Sequence, residues 1–221
     1  MKNKVPISLY IHWPFCTSKC PYCDFNSHIH KNIDHREWGK GLVTELNYLI
    51  KTYFFDTLDK YYLKSIFFGG GTPSLMEPTI LKEIIIKCVK KFNYSSLPDD
   101  VEITLEANPK SLTKKKLLEF RKSGINRISI GAQSFDKKFL NFLGRDHSVY
   151  EAKKNIENAR EVFSNLSFDL IYAMPNQTIY EWERTLETAL QFEPDHLSLY
   201  QLTIERGTAF HQMFRKGKLT P

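Results

Sequence analysis

Cys16, Cys20 and Cys23 share one short segment in the spacing C-x3-C-x2-C. Iron–sulfur clusters are held by cysteine thiolates, and spacings of two or three residues let one loop wrap a cluster face. Three thiolates can hold three irons of a cubane cluster. No further cysteine lies near in sequence, so the fourth iron is left open. An open iron can bind a small molecule and pass it an electron, a combination that points to radical chemistry driven by S-adenosylmethionine (SAM). A zinc site is the alternative, with His12, His28 or His30 as the missing ligand. Structural zinc sites, however, usually pair their cysteines in two separated knuckles. A disulfide fits poorly, because clustered thiols serve metals in a reducing compartment.

Composition bounds the rest. The chain has 221 residues, 42% hydrophobic, enough to bury one sizeable core. No apolar run approaches the roughly 18 residues that a membrane span needs. The basic start Met1-Lys-Asn-Lys-Val-Pro leads into no apolar stretch or small-residue cleavage site, so no signal peptide is expected. The sequence therefore reads as cytoplasmic. The formal net charge of +6 comes from dispersed lysines, apart from Lys114-Lys115-Lys116. Without a basic stripe interleaved with aromatics, nucleic acid is not an expected partner. A mild positive field suits an anionic ligand such as a porphyrin with its propionates.

The elements that must position the cysteines alternate. Ser8 to Trp13, Ser65 to Phe68, Val101 to Leu105, Arg127 to Ile130, Phe168 to Tyr172 and His196 to Leu202 are strand-like. Helices are expected between them. Asp34 with Glu37 caps one that carries Trp38, Leu42, Leu46, Leu49 and Ile50 at helical spacing. Pro78 suits the first turn of a second, with Ile80, Leu81, Ile84, Ile85, Cys88, Val89 and Phe92 as its buried stripe. Thr113 to Ser123 forms a third, stopped at Gly124. Ser148 with Glu151 and Thr178 with Glu181 are capping-box signals. Behind them Ala152, Ile156, Ala159 and Phe163, then Trp182, Leu186, Ala189 and Leu190, are the expected buried positions. Cys88 reads as core; His28, His30, His35 and His211 read as solvated. Serial β–α steps argue for parallel strands with helical crossovers. A six-strand partial barrel and an open doubly wound sheet both satisfy that pattern, and both place ligands at strand ends.

Longer ordered blocks narrow the choice. They are Tyr10-Ile-His-Trp-Pro-Phe-Cys16, Cys20-Pro-Tyr-Cys-Asp-Phe-Asn-Ser-His28, Phe68-Gly-Gly-Gly-Thr-Pro-Ser, Leu105-Glu-Ala-Asn-Pro, Ser129-Ile-Gly-Ala-Gln-Ser-Phe, Gly144-Arg-Asp-His and Phe168-Asp-Leu-Ile-Tyr-Ala-Met-Pro-Asn-Gln-Thr. Together they resemble the radical SAM family of oxygen-independent coproporphyrinogen III oxidases and their HemW-type relatives. The resemblance implies an α/β fold, a partial (β/α)6 TIM-type barrel, with a 4Fe-4S cluster and SAM at its open iron. In such proteins an electron passes from the cluster to the sulfonium, giving methionine and a 5′-deoxyadenosyl radical. Cluster and cofactor carry that chemistry, and the protein supplies position and dryness.

Carried over residue by residue, the resemblance makes Cys16, Cys20 and Cys23 the cluster ligands. Tyr10 lies near SAM, and Tyr22 packs on its adenine. Gly70, Gly71 and Thr72 form the SAM-binding turn. Glu106, Gln133, Arg145 and Asp169 suit the ammonium, carboxylate and ribose of SAM; a structural ion pair among themselves is the alternative. No catalytic residue is assigned, and whether the chain is an enzyme is left open. The oxidases carry one more cysteine two residues past the last ligand, where this chain has Phe25. The Cys-Asp-Phe-Asn-Ser-His ending is of the HemW type. The resemblance therefore favours a heme chaperone that passes heme to an acceptor and takes electrons from a one-electron donor. An oxidase or a structural zinc domain are the alternatives. Residues 1–206 are expected to form the core domain and 207–221 the start of a C-terminal region. HemW relatives carry a His-Asn-x-x-Tyr-Trp-type heme motif in such a region, and no such motif occurs in these 221 residues.

Overall fold

The structure, a computed structural model, describes residues 4–30 and 32–220. The basic start at residues 1–3 and Pro221 lie outside the described residues. The strands are β1 (Val5–Trp13), β2 (Phe15–Cys16), β3 (His28–Ile29), β4 (Tyr61–Gly70), β5 (Glu102–Ala107), β6 (Arg127–Gln133), β7 (Asn165–Tyr172) and β8 (His196–Gln201). The helices are α1 (His35–Tyr53), α2 (Pro78–Lys91), α3 (Lys114–Lys122), α4 (Lys137–Phe142), α5 (Val149–Val162), α6 (Ile179–Leu190) and α7 (Ala209–Arg215).

Local chemistry places most boundaries. Asp34 accepts from the Glu37 N–H, and both capping boxes, Ser148 with Glu151 and Thr178 with Glu181, are closed in each direction. Each satisfies backbone donors that the first helical turn would leave orphaned. Gly124 follows α3 at φ 108°, a left-handed stop that only glycine adopts without strain.

Six strands form one parallel sheet in the order β1-β4-β5-β6-β7-β8. That order decides between the two architectures. Strand order reverses at the switch point of a doubly wound sheet, whereas here every crossover advances in the same direction. Right-handed crossovers then put the long crossover helices on one face. The helices follow suit, α1 packing on α2, α2 on α3 and α3 on α5. The result is a half-barrel with β1 and β8 as its free edges.

The two faces differ chemically. Ile66, Phe68, Ile103, Leu105, Ile128, Ile130, Leu166 and Phe168 are buried under the helices. The concave face instead carries hydroxyls and charge. Ser65 Oγ donates to Ser8 Oγ, Ser129 and Ser167 are hydrogen-bonded at 2.8 Å, and Arg127 donates to Thr104 and Ser167. A closed barrel would fill this space with apolar branches; an open one must satisfy its polar groups internally.

Some expected positions differ. Leu49 and Leu190 are exposed, lying at the margins of their helical stripes. His35 is stacked on the buried Trp13 at 5.3 Å rather than solvated, and His211 is half-buried on α7. Cys88 is fully buried, as expected, and burial pushes its thiol up to about 12. Among the described residues no helix is long and apolar enough to cross a membrane.

Candidate functional site

The cysteine loop leaves the end of β1 and returns through β3, which pairs in parallel with β2. Its backbone is held from several sides. The His28 N–H donates to Pro14 O at 2.6 Å, and the Cys23 N–H donates to Cys20 O at 3.1 Å. Lys19 Nζ donates to Phe25 O and Ser27 O, both at 3.3 Å. His12 Nε2 donates to Asn26 O at 2.9 Å, leaving Nδ1 to accept from the Tyr10 hydroxyl.

The loop closes over a cavity of about 270 Å³ at the C-terminal ends of the sheet strands. Cys16, Cys20, Cys23, Tyr22, Gly70, Gly71, Thr72, Glu106, Gln133, Arg145 and Asp169 all line it. Tyr10 does not. It stands on β1 at the cavity's edge, 59% exposed, stacked on Phe67 and close enough to Glu106 to feel its charge.

Two cysteines meet donors from distant parts of the chain. Thr72 Oγ1 donates to Cys16 Sγ at 3.4 Å. Arg145 Nη1 donates to Cys20 Sγ at 3.2 Å and lies 3.4 Å from the Tyr22 hydroxyl, while Nη2 donates to Gly131 O. Arg145 Nε is buried without a partner, so the guanidinium has spare donor capacity within a buried site. Burial pushes the Cys23 thiol up, and the neighbouring Cys20 and Cys16 add to the effect.

Backbone irregularity aims the rest. Gln133 sits at φ 66°, where the register with β7 slips, and this bulge turns its side chain into the cavity. Gly144 has φ 61°, and a Cβ there would come within 2.7 Å of Pro21 Cδ. This close approach seats Arg145 against the cysteine loop. Glu106 accepts from the Gly70 N–H at 3.1 Å. Burial, with Asp169 adding repulsion and the Gly70 N–H opposing, pushes Glu106 up to about 7. Burial shifts Asp169 upward as well.

The raised Glu106 has a stability signature. It holds its proton more tightly folded than unfolded, so folding stability falls as pH rises from about 4.5 to about 7. The Asp169 shift acts in the same direction. Glu106→Gln is expected to stabilise the ligand-free protein by on the order of 1–3 kcal/mol near pH 8 relative to wild type, the gain shrinking toward pH 4. Denaturant titrations at both pH values check this; a gain that does not change with pH contradicts it.

Several lining residues lie outside the motifs quoted above: Lys19, Tyr200, Gln201 and Glu205. Tyr200 was findable in principle, since it stands near the end of the last strand. Asp146 holds the cysteine loop from outside the cavity, accepting from Thr17 and Asn108.

Three unbridged thiols at the mouth of an open parallel half-barrel, faced by a guanidinium and two carboxylates, define a radical SAM core. The chain belongs to the Radical SAM superfamily, whose family model matches residues 10–189. A zebrafish (Danio rerio) protein, "Radical S-adenosyl methionine domain-containing protein 1, mitochondrial", is 40% identical over 99% of this chain and 48% of its own length. The protein named "Heme chaperone HemW" of Haemophilus influenzae is 40% identical over 99% of this chain and 56% of its own length. The HemN coproporphyrinogen III oxidase of Escherichia coli superposes with a TM-score of 0.79 at 24% identity, over 99% of this chain and 49% of that one. That likeness shows the fold. The chain spans about half the length of the curated relatives it matches. It is a HemW-like radical SAM protein with a six-stranded half-barrel.

The residues present fit the superfamily's cofactors. The donor set is three free thiols, and Gly71 forms a cradle so close to Cys16 Sγ that a Cβ would stand 3.0 Å from it. Among the described residues no three His, Cys, Asp or Glu side chains are grouped to hold a single metal ion.

Proposed function

We propose that this chain is the cofactor-binding core of a HemW-like heme chaperone. Cys16, Cys20 and Cys23 hold a 4Fe-4S cluster. Gly70, Gly71, Thr72, Glu106, Gln133, Arg145 and Asp169 bind SAM, with Tyr10 and Tyr22 flanking it. The observation that carries this reading is the meeting of the three thiols with these polar groups in one cavity. When bound, the cluster supplies an electron to the SAM sulfonium.

The chain's own residues perform the positioning. Arg145 keeps a positive charge beside Cys20 and donates a hydrogen bond to its Sγ. Its unpartnered Nε offers a further hydrogen bond to an anionic group. Glu106 and Asp169 set a negative patch across the cavity, which suits an ammonium and hydroxyls and falls to full charge once a cation arrives. Tyr22 closes one wall with its ring, and burial pushes its phenol up, keeping it neutral.

Heme is the cargo, an acceptor protein receives it, and a one-electron donor reduces the cluster. A reducing compartment such as the cytoplasm suits the four free cysteines. Residues 1–206 make up the core domain of this reading and 207–221 the start of a further region, in which α7 packs Phe210 beside Tyr22 and Phe142. The second reading, a coproporphyrinogen III oxidase, draws on the HemN-like fold. Against it stands Phe25, exposed at the cavity mouth where the oxidases carry a further cysteine.

Anaerobic reconstitution with iron, sulfide and SAM tests the proposal. The expected result is bound iron and sulfide, 5′-deoxyadenosine on reduction, heme uptake, and no conversion of coproporphyrinogen III. Formation of protoporphyrinogen IX makes the protein an oxidase instead. Zinc in place of iron and sulfide removes the cluster.

A further inference from the structure

Among the residues assigned to SAM, only Gln133 carries its side chain on left-handed backbone, at φ 66°. The Ser134 N–H donates to Ala132 O at 2.8 Å across it. A hydrogen bond spanning two residues about a positive φ is the γ-turn of the rarer, strained hand. Such a conformation persists only where its surroundings over-determine it. The sheet does not supply that hold, because Gly131 and Ala132 stand outside the register with both β5 and β7. Their carbonyls need partners from elsewhere.

One segment supplies both. Arg145 Nη2 donates to Gly131 O at 3.1 Å, and His147 Nε2 donates to Ala132 O at 3.2 Å. His147 is buried, and neither it nor Ala132 lines the cavity that Gly131 and Gln133 border. Its Nδ1 is buried with no partner among the described residues. Burial, with Arg145 adding repulsion, pushes the imidazole down to about 4. Near pH 7 the ring is therefore neutral, and its one proton sits on Nε2, where the carbonyl accepts it. The Gln133 amide lies so close over Gly131 that a Cβ there would stand 2.8 Å from Nε2. The direction of that amide follows the turn beneath it.

We propose that His147 is a positioning residue for SAM: its Nε2–H locks the turn at Ala132 and so aims the Gln133 amide into the cavity. The assignment rests on the reading of Gln133 as a SAM contact. His147 lies outside the cavity and acts through the backbone between. Arg145 does not replace it, because the guanidinium holds the carbonyl one residue earlier and is shared with Cys20. Asp146, between the two, accepts from Thr17 in the cysteine loop. Three consecutive side chains thus set the Gln133 turn in register with the loop that carries the thiols.

Three variants separate this role from mere core packing. His147→Met fills the space and donates nothing, His147→Gln keeps a neutral N–H at the reach of Nε2, and His147→Asn keeps one that falls short. Backbone hydrogen exchange of the cluster-free 221-residue chain is the first readout. Residues 131–136 are expected to exchange roughly tenfold faster in the Met and Asn variants, as loss of one hydrogen bond implies. They should stay near wild type in His147→Gln, with α2 unchanged in all three. The second readout is SAM affinity of the reconstituted protein by equilibrium dialysis. It should fall about tenfold in the Met and Asn variants and recover in His147→Gln, at constant iron and sulfide. Added to Gln133→Ala, His147→Met should cost no further affinity, since both act on one contact. If His147→Met fails to fold, the Asn and Gln pair decides in the same way. Additive losses in the double variant, equal losses with and without the ε donor, or wild-type exchange in the Met and Asn variants overturn the positioning role and leave the SAM reading standing. Wild-type affinity in Gln133→Ala overturns the Gln133 contact and the proposal with it. A wild-type protein that binds no SAM overturns the reading itself.

Discussion

Alanine at Cys16, Cys20 or Cys23 is expected to abolish cluster assembly in each single variant. Removing an outer-shell partner of a metal ligand typically weakens metal binding about 10–100-fold, and removing a ligand itself should exceed that. The expectation is strict because the cavity offers no substitute sulfur. The remaining thiol, Cys88, is buried on α2, and its position at about 12 keeps it protonated and inert. Iron and acid-labile sulfide per chain after anaerobic reconstitution provide the measurement, with SAM cleavage as the second readout. Cys88→Ala is the control: it should lose some stability by leaving a small void and keep a full cluster. A single-cysteine variant that retained the wild-type iron and sulfide would remove the basis of the site.

The second large effect is expected at Gly71, for a reason that lies in packing rather than ligation. A Cβ at this position would stand 2.8 Å from Phe15 O and 3.0 Å from Cys16 Sγ. Neither atom can retreat freely. Phe15 O accepts from the Thr72 N–H at 2.9 Å, and the Gly71 N–H itself donates to Trp13 O at 2.6 Å. Gly71→Ala must therefore push the cysteine loop away from β4, at about 1–3 kcal/mol, and shift Cys16 from its place beside Thr72. Lower denaturant midpoint together with lost iron is the expected pair of results. Gly41→Ala, on α1 with open space around its Cβ, should instead be neutral or stabilising by up to roughly 1 kcal/mol through helix propensity. Equal iron content and midpoint in Gly71→Ala and wild type would show that the loop is not held as described.

Much of the scaffold was legible because it is written in short-range chemistry. The capping boxes at Ser148 and Thr178 require only residues three apart. The stripe from Ile80 to Phe92 requires only a helical period. The strand cores at Ser65, Arg127 and Phe168 were each found, although each strand runs further than its apolar centre suggests. The short α4 and α7 were not anticipated: six- and seven-residue helices are too brief to display a period. The β2–β3 pair was missed for the same reason, being two residues long on each side.

The site divides along the same line. The cysteine spacing named the donor set, and the ordered motifs marked Gly70, Glu106, Gln133, Arg145 and Asp169. Nothing in the linear pattern could say that Arg145 would reach Cys20, which lies 125 positions away, or that Asp146 would tether Thr17. Nor could it say that Tyr10, two residues before His12 on the same strand, would stand at the cavity's edge rather than within it.

By itself, then, the sequence determined the identity of the chemical groups and the local elements that carry them, because thiolate spacing, helix caps and side-chain periodicity act within a few residues. The resemblance carried by the ordered motifs already pointed to the half-barrel, which periodicity could not tell from a doubly wound sheet; tertiary structure alone decided the strand order and the contacts that bring Thr72 to Cys16 and Arg145 to Cys20. Those depend on where crossovers land and on which distant surfaces pack together. Such pairings come from the shape of the whole core, and no short stretch of chain encodes them.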